Sequence, residues 1–185
     1  MIQQRRSFIK LLGFSGTVSL FNPVLALALD NKSPDGYVTN EEDQETYLIG
    51  PRRAPVSFMV DKNKKGVNTI SFCREEIAPG TGIPVHKHLN EEEVIYVQYG
   101  NGIFTLGEKE FVVKAGSVAY VPKGIWHGLR NTDTANLRML FTFTPSGFEN
   151  YFREIGIPEG RGVNDLTDEQ YEAINKKYGI VYKPR

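Results

Sequence analysis

The sequence predicts an all-β domain, an antiparallel barrel followed by short helices at its C-terminal end. Two observations carry this. Between Val56 and Pro145, seven short runs rich in β-branched and aromatic residues (VSFMV, VNTISF, VIYVQ, GIFTL, EFVV, VAYV and LRMLFTF) alternate with turn residues. The turns fall at Lys65-Gly66, Pro79-Gly80, Gly100-Asn101-Gly102, Gly107 and Ala115-Gly116, the regular spacing of an antiparallel β domain. Beyond Pro145 the apolar residues Phe148, Tyr151 and Phe152 take up helical spacing instead.

A chain of 185 residues accommodates one domain with appendages rather than two full domains. The first 28 residues read as a cleavable signal peptide: basic MIQQRRSFIK, apolar LLGFSGTVSLF, then a small-residue site at Ala26-Leu27-Ala28. Arg5-Arg6 followed by Ser7, Phe8, Ile9 and Lys10 resembles the twin-arginine signal, with Gln4 where Ser or Thr is more usual. The alternative, a membrane anchor, is disfavoured because the run falls short of the ~20 residues a bilayer requires and is broken by Asn22 and Pro23. The expectation is therefore a periplasmic or otherwise exported protein with no stable membrane insertion after cleavage.

Residues 29–55 are polar, with Tyr47, Leu48 and Ile49 the one apolar cluster, and read as an arm that is partly ordered at best. Residues 56–146 are the barrel. In the extension 147–185, a first short helix ends near Gly156 and a second runs from about Asp168 to Tyr178. Thr167 caps the second with Gln170 three residues on, and Gly179 stops it. Tyr171, Ile174 and Tyr178 would face the body.

Removing Arg5, Arg6 and Lys10 from the 22 basic residues leaves 19 against 22 acidic ones, a mature net charge of −3 that argues against nucleic acid as a partner. Cys73 is the one cysteine, so neither an intramolecular disulfide nor a cysteine zinc site is available, and it reads as a core residue.

The three histidines, His86, His88 and His127, all fall in the β region beside Gly- or Pro-rich turns. His86 and His88 are two apart, so on a strand both imidazoles share one face, toward either solvent or the barrel interior. Glu93 follows after a short turn, and an antiparallel barrel is what can bring the distant His127 beside them. Three imidazoles and a carboxylate suit iron, manganese, nickel, cobalt or zinc.

These residues resemble the cupins, whose two motifs lie on neighbouring strands of a double-stranded β-helix, a jelly-roll barrel. The first motif is Gly80, five residues, His86, Lys87, His88, four residues, Glu93, six residues, Gly100. The second is Gly116, five residues, Pro122, Lys123, Gly124, two residues, His127, three residues, Asn131. The resemblance covers roughly residues 66 to 145 and implies that His86, His88, Glu93 and His127 bind one divalent transition metal. Iron, manganese or nickel is favoured; zinc or cobalt remains open. It also implies homodimers through the outer strands. Gly80, Gly100 and Gly116 sit where a positive backbone dihedral is often needed. Asn131 reads as a turn residue, Trp126 as core packing, and Glu91 and Glu92 as a solvated turn.

The run FTPSGFENYFREIGIP resembles the tail of quercetin dioxygenase-like cupins, where such a segment leads into a helix near the pocket. The resulting expectation is a metal-dependent oxygenase acting on a small aromatic or enolic substrate, with Glu93 both ligand and catalytic proton acceptor. Inward residues among Met139, Leu140, Phe141 and Phe143 would make the pocket mostly apolar. The competing expectations are a noncatalytic cupin that stores metal or binds a small ligand, and a cupin isomerase or lyase. Export after folding fits either, because a site meant for manganese or iron is best filled where copper and zinc are scarce. One of Glu75 and Glu76 should face the interior as an additional acid or base, the parity being open.

Overall fold

Alternation of buried and less buried residues runs along the central strands of the larger sheet. A computed structural model describes residues 35–64, 66–162 and 165–184. The expected signal peptide, residues 1–28, lies outside them.

After a 3-10 turn at Glu41–Asp43, the strands are β1 (Glu45–Ile49), β2 (Ala54–Val60), β3 (Ser71–Ile77), β4 (Gly82–His88) and β5 (Glu92–Tyr99). They continue as β6 (Asn101–Leu106), β7 (Lys109–Lys114), β8 (Val118–Val121), β9 (His127–Asn131) and β10 (Leu137–Thr144). Then come α1 (Glu149–Ile155), β11 (Ile157–Pro158), α2 (Asp168–Tyr178) and β12 (Ile180–Tyr182).

Two antiparallel sheets result, one of seven strands in the order β11-β1-β2-β3-β10-β5-β8 and one of five in the order β12-β4-β9-β6-β7. From β3 to β6 and again from β7 to β10 each successive strand passes to the other sheet, giving the double-stranded β-helix expected from the sequence. On β3 the inward set is Ser71, Cys73, Glu75 and Ile77; on β10 it is Leu137, Met139, Phe141 and Phe143. Every one of these is buried, so the strand parity that forms the core is fixed by period two.

The stretch expected as an arm departs from its reading. Glu45–Ile49 forms β1, pairing with β2 on one side and β11 on the other. Its apolar residues are covered there, Tyr47 and Ile49 packing on the core. The helical extension likewise contains two short strands, β11 and β12, besides its two helices.

Helix α2 has the predicted ends. The Thr167 hydroxyl accepts from the Gln170 N–H at 3.3 Å, and the Gln170 side chain accepts from the Thr167 N–H at 2.8 Å. Gly179 closes the helix with φ 66°, and Tyr171, Ile174 and Tyr178 pack on the core. Gly80, Gly100 and Gly116 all have positive φ, at 68°, 89° and 89°. At Gly100 space is decisive as well, since a Cβ would lie 2.7 Å from the Leu137 Cα.

Candidate metal centre

Strand β4 delivers two imidazoles to the interior. His86 and His88 are buried while Lys87 between them turns outward, as the pleat requires. The β4–β9 register shifts between Ile83 and His86, and Pro84, which has no N–H to give the ladder, sits in the irregularity. The shift sets His86 directly opposite His127. Glu93 comes from the other sheet, near the start of β5, where it pairs with Phe143 and Val121. The sequence motif thus spans both walls of the barrel, three histidines on one sheet and the carboxylate on the other.

The four side chains converge, their ligand atoms all within 4.8 Å of one another. His86 Nε2 lies 3.1 Å from His88 Nε2. Glu93 Oε2 lies 2.9 Å from His127 Nε2 and 3.7 Å from His88 Nε2. Exposure is 8% for His86, 3% for His88, 4% for Glu93 and 1% for His127.

Backbone carbonyls orient two of the rings. His86 Nδ1 lies 2.8 Å from the Pro84 carbonyl and His127 Nδ1 lies 3.0 Å from that of Ile125. Donation from Nδ1 leaves the Nε2 lone pair of each ring facing the cluster. Edge-on contacts with Phe143 and Phe148, at centroid distances of 5.1 and 4.3 Å, hold His88.

Burial pushes the His86 pKa down to about 3, helped by the neighbouring His127. Burial also takes His88 well below the ordinary imidazole value, His86 and His127 adding to the effect. At His127 burial opposes the charged form, but contact with the Glu93 carboxylate outweighs it and the pKa rises.

This arrangement fits a divalent metal ion. Buried Glu93 Oε2 and His127 Nε2 approach to 2.9 Å without a hydrogen bond between them, and with His127 Nδ1 donating to Ile125 their lone pairs face each other, a contact that a shared proton or a shared cation makes favourable. Two donors on ligand bonds of about 2.1 Å stand roughly 3–3.5 Å apart, a spacing close to the 2.9 and 3.1 Å contacts. Neutral imidazoles and one carboxylate form a donor set of intermediate hardness.

Beside the cluster lies a cavity of about 80 Å³ reached by His86, His88 and Glu93. Met139, Phe141 and Phe143 line it, as the apolar expectation for β10 required, whereas Leu140 faces away and is half-buried. Phe148 and three residues of α1 (Tyr151, Phe152 and Ile155) form another wall, so the helix does stand against the pocket. A larger groove of about 620 Å³ runs past Gly80, Val85, Arg130 and Lys183, but none of the four clustered residues lines it. Open surface with no chemistry beneath it is the poorer candidate for a ligand.

The parity of β3 is settled. Glu75 faces the cavity and is 6% exposed, and its pKa is pushed up to about 7 by burial, with Arg52 opposing and Glu93 reinforcing the shift. Glu76 faces outward, accepting from the Tyr99 hydroxyl at 2.7 Å and pairing with Arg138. Asn131 behaves as a turn residue: its Oδ1 accepts from the Asp133 N–H at 2.8 Å, and its Nδ2 donates to the Ile77 and Ala135 carbonyls.

Two readings need correction. Glu91 and Glu92 are half-buried rather than a solvated turn: Glu92 opens β5 opposite Thr144, and Glu91 has Oε2 unpartnered and its pKa raised to about 7 by burial. Trp126 is not core packing; it precedes β9, stays partly exposed, and carries the Lys87 ammonium 4.6 Å above its ring. Sequence reasoning missed Arg52 and Tyr182, both of which line the cavity. Tyr182 pairs with His86 from β12, a strand whose three residues show no period.

Residues 73–143 match the family model described as Cupin domain, a segment holding all four clustered side chains. The match spans 71 of the 185 residues and supports the cupin fold for that segment. The chain is 35% identical over 69 residues to an oxalate-binding protein of Thermotoga maritima, a match covering 37% of this chain and 57% of the relative. It is 39% identical over 77 residues to a germin-like protein of Arabidopsis thaliana, covering 38% of this chain and 35% of that one. The chain thus spans less than two thirds of the curated relatives it matches.

Among solved structures, a predicted oxalate decarboxylase of Thermotoga maritima superimposes with TM-score 0.51 and 25% identity, over 60% of this chain and 99% of that one. KdgF from a Halomonas species, at TM-score 0.55 and 14% identity over 63% of this chain and 99% of that one, shares the fold.

Proposed function

We propose that this chain is a mononuclear metal-dependent cupin enzyme acting on a small, enolisable carboxylate. The observation that carries the reading is the cluster of His86, His88, Glu93 and His127, all buried, with Glu93 Oε2 and His127 Nε2 lacking hydrogen-bond partners, beside a cavity of only about 80 Å³. Drug-sized ligands occupy pockets of roughly 300 Å³ or more, so the volume favours a ligand of a few heavy atoms over a fused aromatic. A relative named for oxalate binding supports the small-carboxylate part of this reading; the enolisable carbon is this proposal's own addition.

A divalent ion held by those four residues supplies Lewis-acid polarisation of a carbonyl or carboxylate oxygen. The chain's own residues orient and enclose. Pro84 and Ile125 fix the His86 and His127 rings through their carbonyls. Phe143 and Phe148 hold His88 edge-on and present apolar surface to the cavity.

The test is metal analysis of the purified protein followed by turnover assays with small carboxylates, with and without dioxygen. About one equivalent of metal in the wild type, lost in His86→Ala/His127→Ala, supports the centre; no metal in either protein overturns it. Turnover that requires dioxygen identifies an oxygenase, and equal anaerobic turnover an isomerase or lyase. Binding of oxalate without turnover of any carboxylate favours the second reading, a noncatalytic binding cupin.

We further propose export by the twin-arginine route, on the strength of Arg5-Arg6 and the apolar run after them. Arg5→Lys/Arg6→Lys should retain the protein in the cytoplasmic fraction, and unchanged fractionation would refute the route.

A further inference from the structure

The cavity holds a second carboxyl that the ligand cluster does not use. Glu75 enters from β3, and the residues in register with it on either side, Val56 and Met139, are apolar. Among the described residues it has no hydrogen-bond partner, although it is 6% exposed. Its carboxyl lines the cavity rather than being sealed in apolar packing, so a ligand there can supply the partner it lacks. Arg52, on the turn between β1 and β2, lines the same cavity, and its positive charge is felt at Glu75. Three chemistries therefore meet in about 80 Å³: metal-type donors, an unengaged carboxyl and a guanidinium.

We propose that Glu75 is a catalytic acid–base residue that exchanges a proton with the carbon beside the carbonyl of a small 2-oxo carboxylate, whose carboxylate group is held by Arg52. This rests on the metal-dependent reading above. Glu93 is committed to the cluster through His127 and His88, which leaves Glu75 as the carboxyl free to meet substrate. In the step, the substrate C–H bond breaks and a Glu75 O–H bond forms. The C–H electron pair becomes the C=C bond of the enolate and the carbonyl π pair moves to its oxygen. Return of the proton reverses each change, so no oxidant or reductant is required.

The experiment incubates the metal-loaded full chain with pyruvate in deuterated water and follows loss of the methyl proton signal by NMR, with oxalate affinity measured in parallel by calorimetry. Wild type should exchange faster than buffer. Glu75→Gln should lower the exchange rate by about 100-fold or more, with metal content unchanged and the oxalate Kd within about threefold of wild type. Glu75→Asp should recover part of the rate, and Arg52→Gln should raise the oxalate Kd about tenfold. Exchange at the wild-type rate in Glu75→Gln overturns the proposal, as does loss of metal from that variant, which would make Glu75 structural. A wild type that binds metal and oxalate but exchanges no faster than buffer also overturns it. Failure of the wild type to take up metal at all is a separate result, and it removes the underlying reading together with this one.

Discussion

Proton occupancy decides how the metal-free site responds to acid. His86 stays neutral in the folded chain down to about pH 3 and His88 is depressed as well, whereas a free imidazole protonates near pH 6.5. Below that value the unfolded chain binds the additional protons. Stability contributed by the two neutral rings is therefore complete above about pH 6.5 and is lost as pH falls, by about 1.4 kcal/mol per pH unit for each ring. Urea unfolding of metal-free protein at pH 7 and pH 5 should show this slope, and His86→Gln should reduce it. Glu75 acts with the opposite sign. Its folded pKa of about 7 exceeds the ordinary carboxyl value, so its contribution is complete below about pH 4.3 and is lost as pH rises through 7. Glu75→Gln should accordingly gain stability over wild type more at pH 8 than at pH 5. Both histidine motifs were legible because the chain has three histidines, all at strand ends or turns. The choice between Glu75 and Glu76 was not, because the apolar residues of FCREEI divide between both parities. Arg52 had no signal, being one exposed cation in a polar stretch.

At the scale of the element, the end of the chain is tied to the ligand strand. Strand β12 pairs with β4, placing Ile180 against His88 and Tyr182 against His86. The turn feeding it depends on Gly179, where φ is 66° and a Cβ would come within 2.4 Å of Asn90 Nδ2. Gly179→Ala should cost about 1–2 kcal/mol in backbone strain and weaken metal affinity several-fold, measured by chelator competition. Thr167→Ala removes the cap at the other end of α2 at a cost of about 1 kcal/mol, yet should leave metal affinity unchanged because β12 keeps its register. The helix and its caps were readable from Thr167, Gln170 and Gly179, since capping is local chemistry. Strands β1, β11 and β12 were not, because five, two and three residues pair with distant partners and carry too little period of their own.

Across the whole molecule, the two sheets supply different parts of one site, three imidazoles from the smaller and a carboxylate from the larger. Metal at a thousand times its Kd should add about 4 kcal/mol to folding, or roughly 8–16 °C in Tm for a chain of this size. Scanning calorimetry with and without chelator measures this, and His127→Ala should abolish the difference. That a barrel must bring the two motifs together was legible because His127, nearly forty residues beyond His88, had to join the first pair; the strand order itself was not. The placement of Lys87 has one more consequence. Because it alternates outward between His86 and His88 and rests on Trp126, the chain's one indole is linked on one side to β4 and adjoins His127 on the other. The protein therefore carries its own optical gauge: filling the centre should change tryptophan emission without any added dye, and a titration in a fluorimeter would count metal equivalents directly.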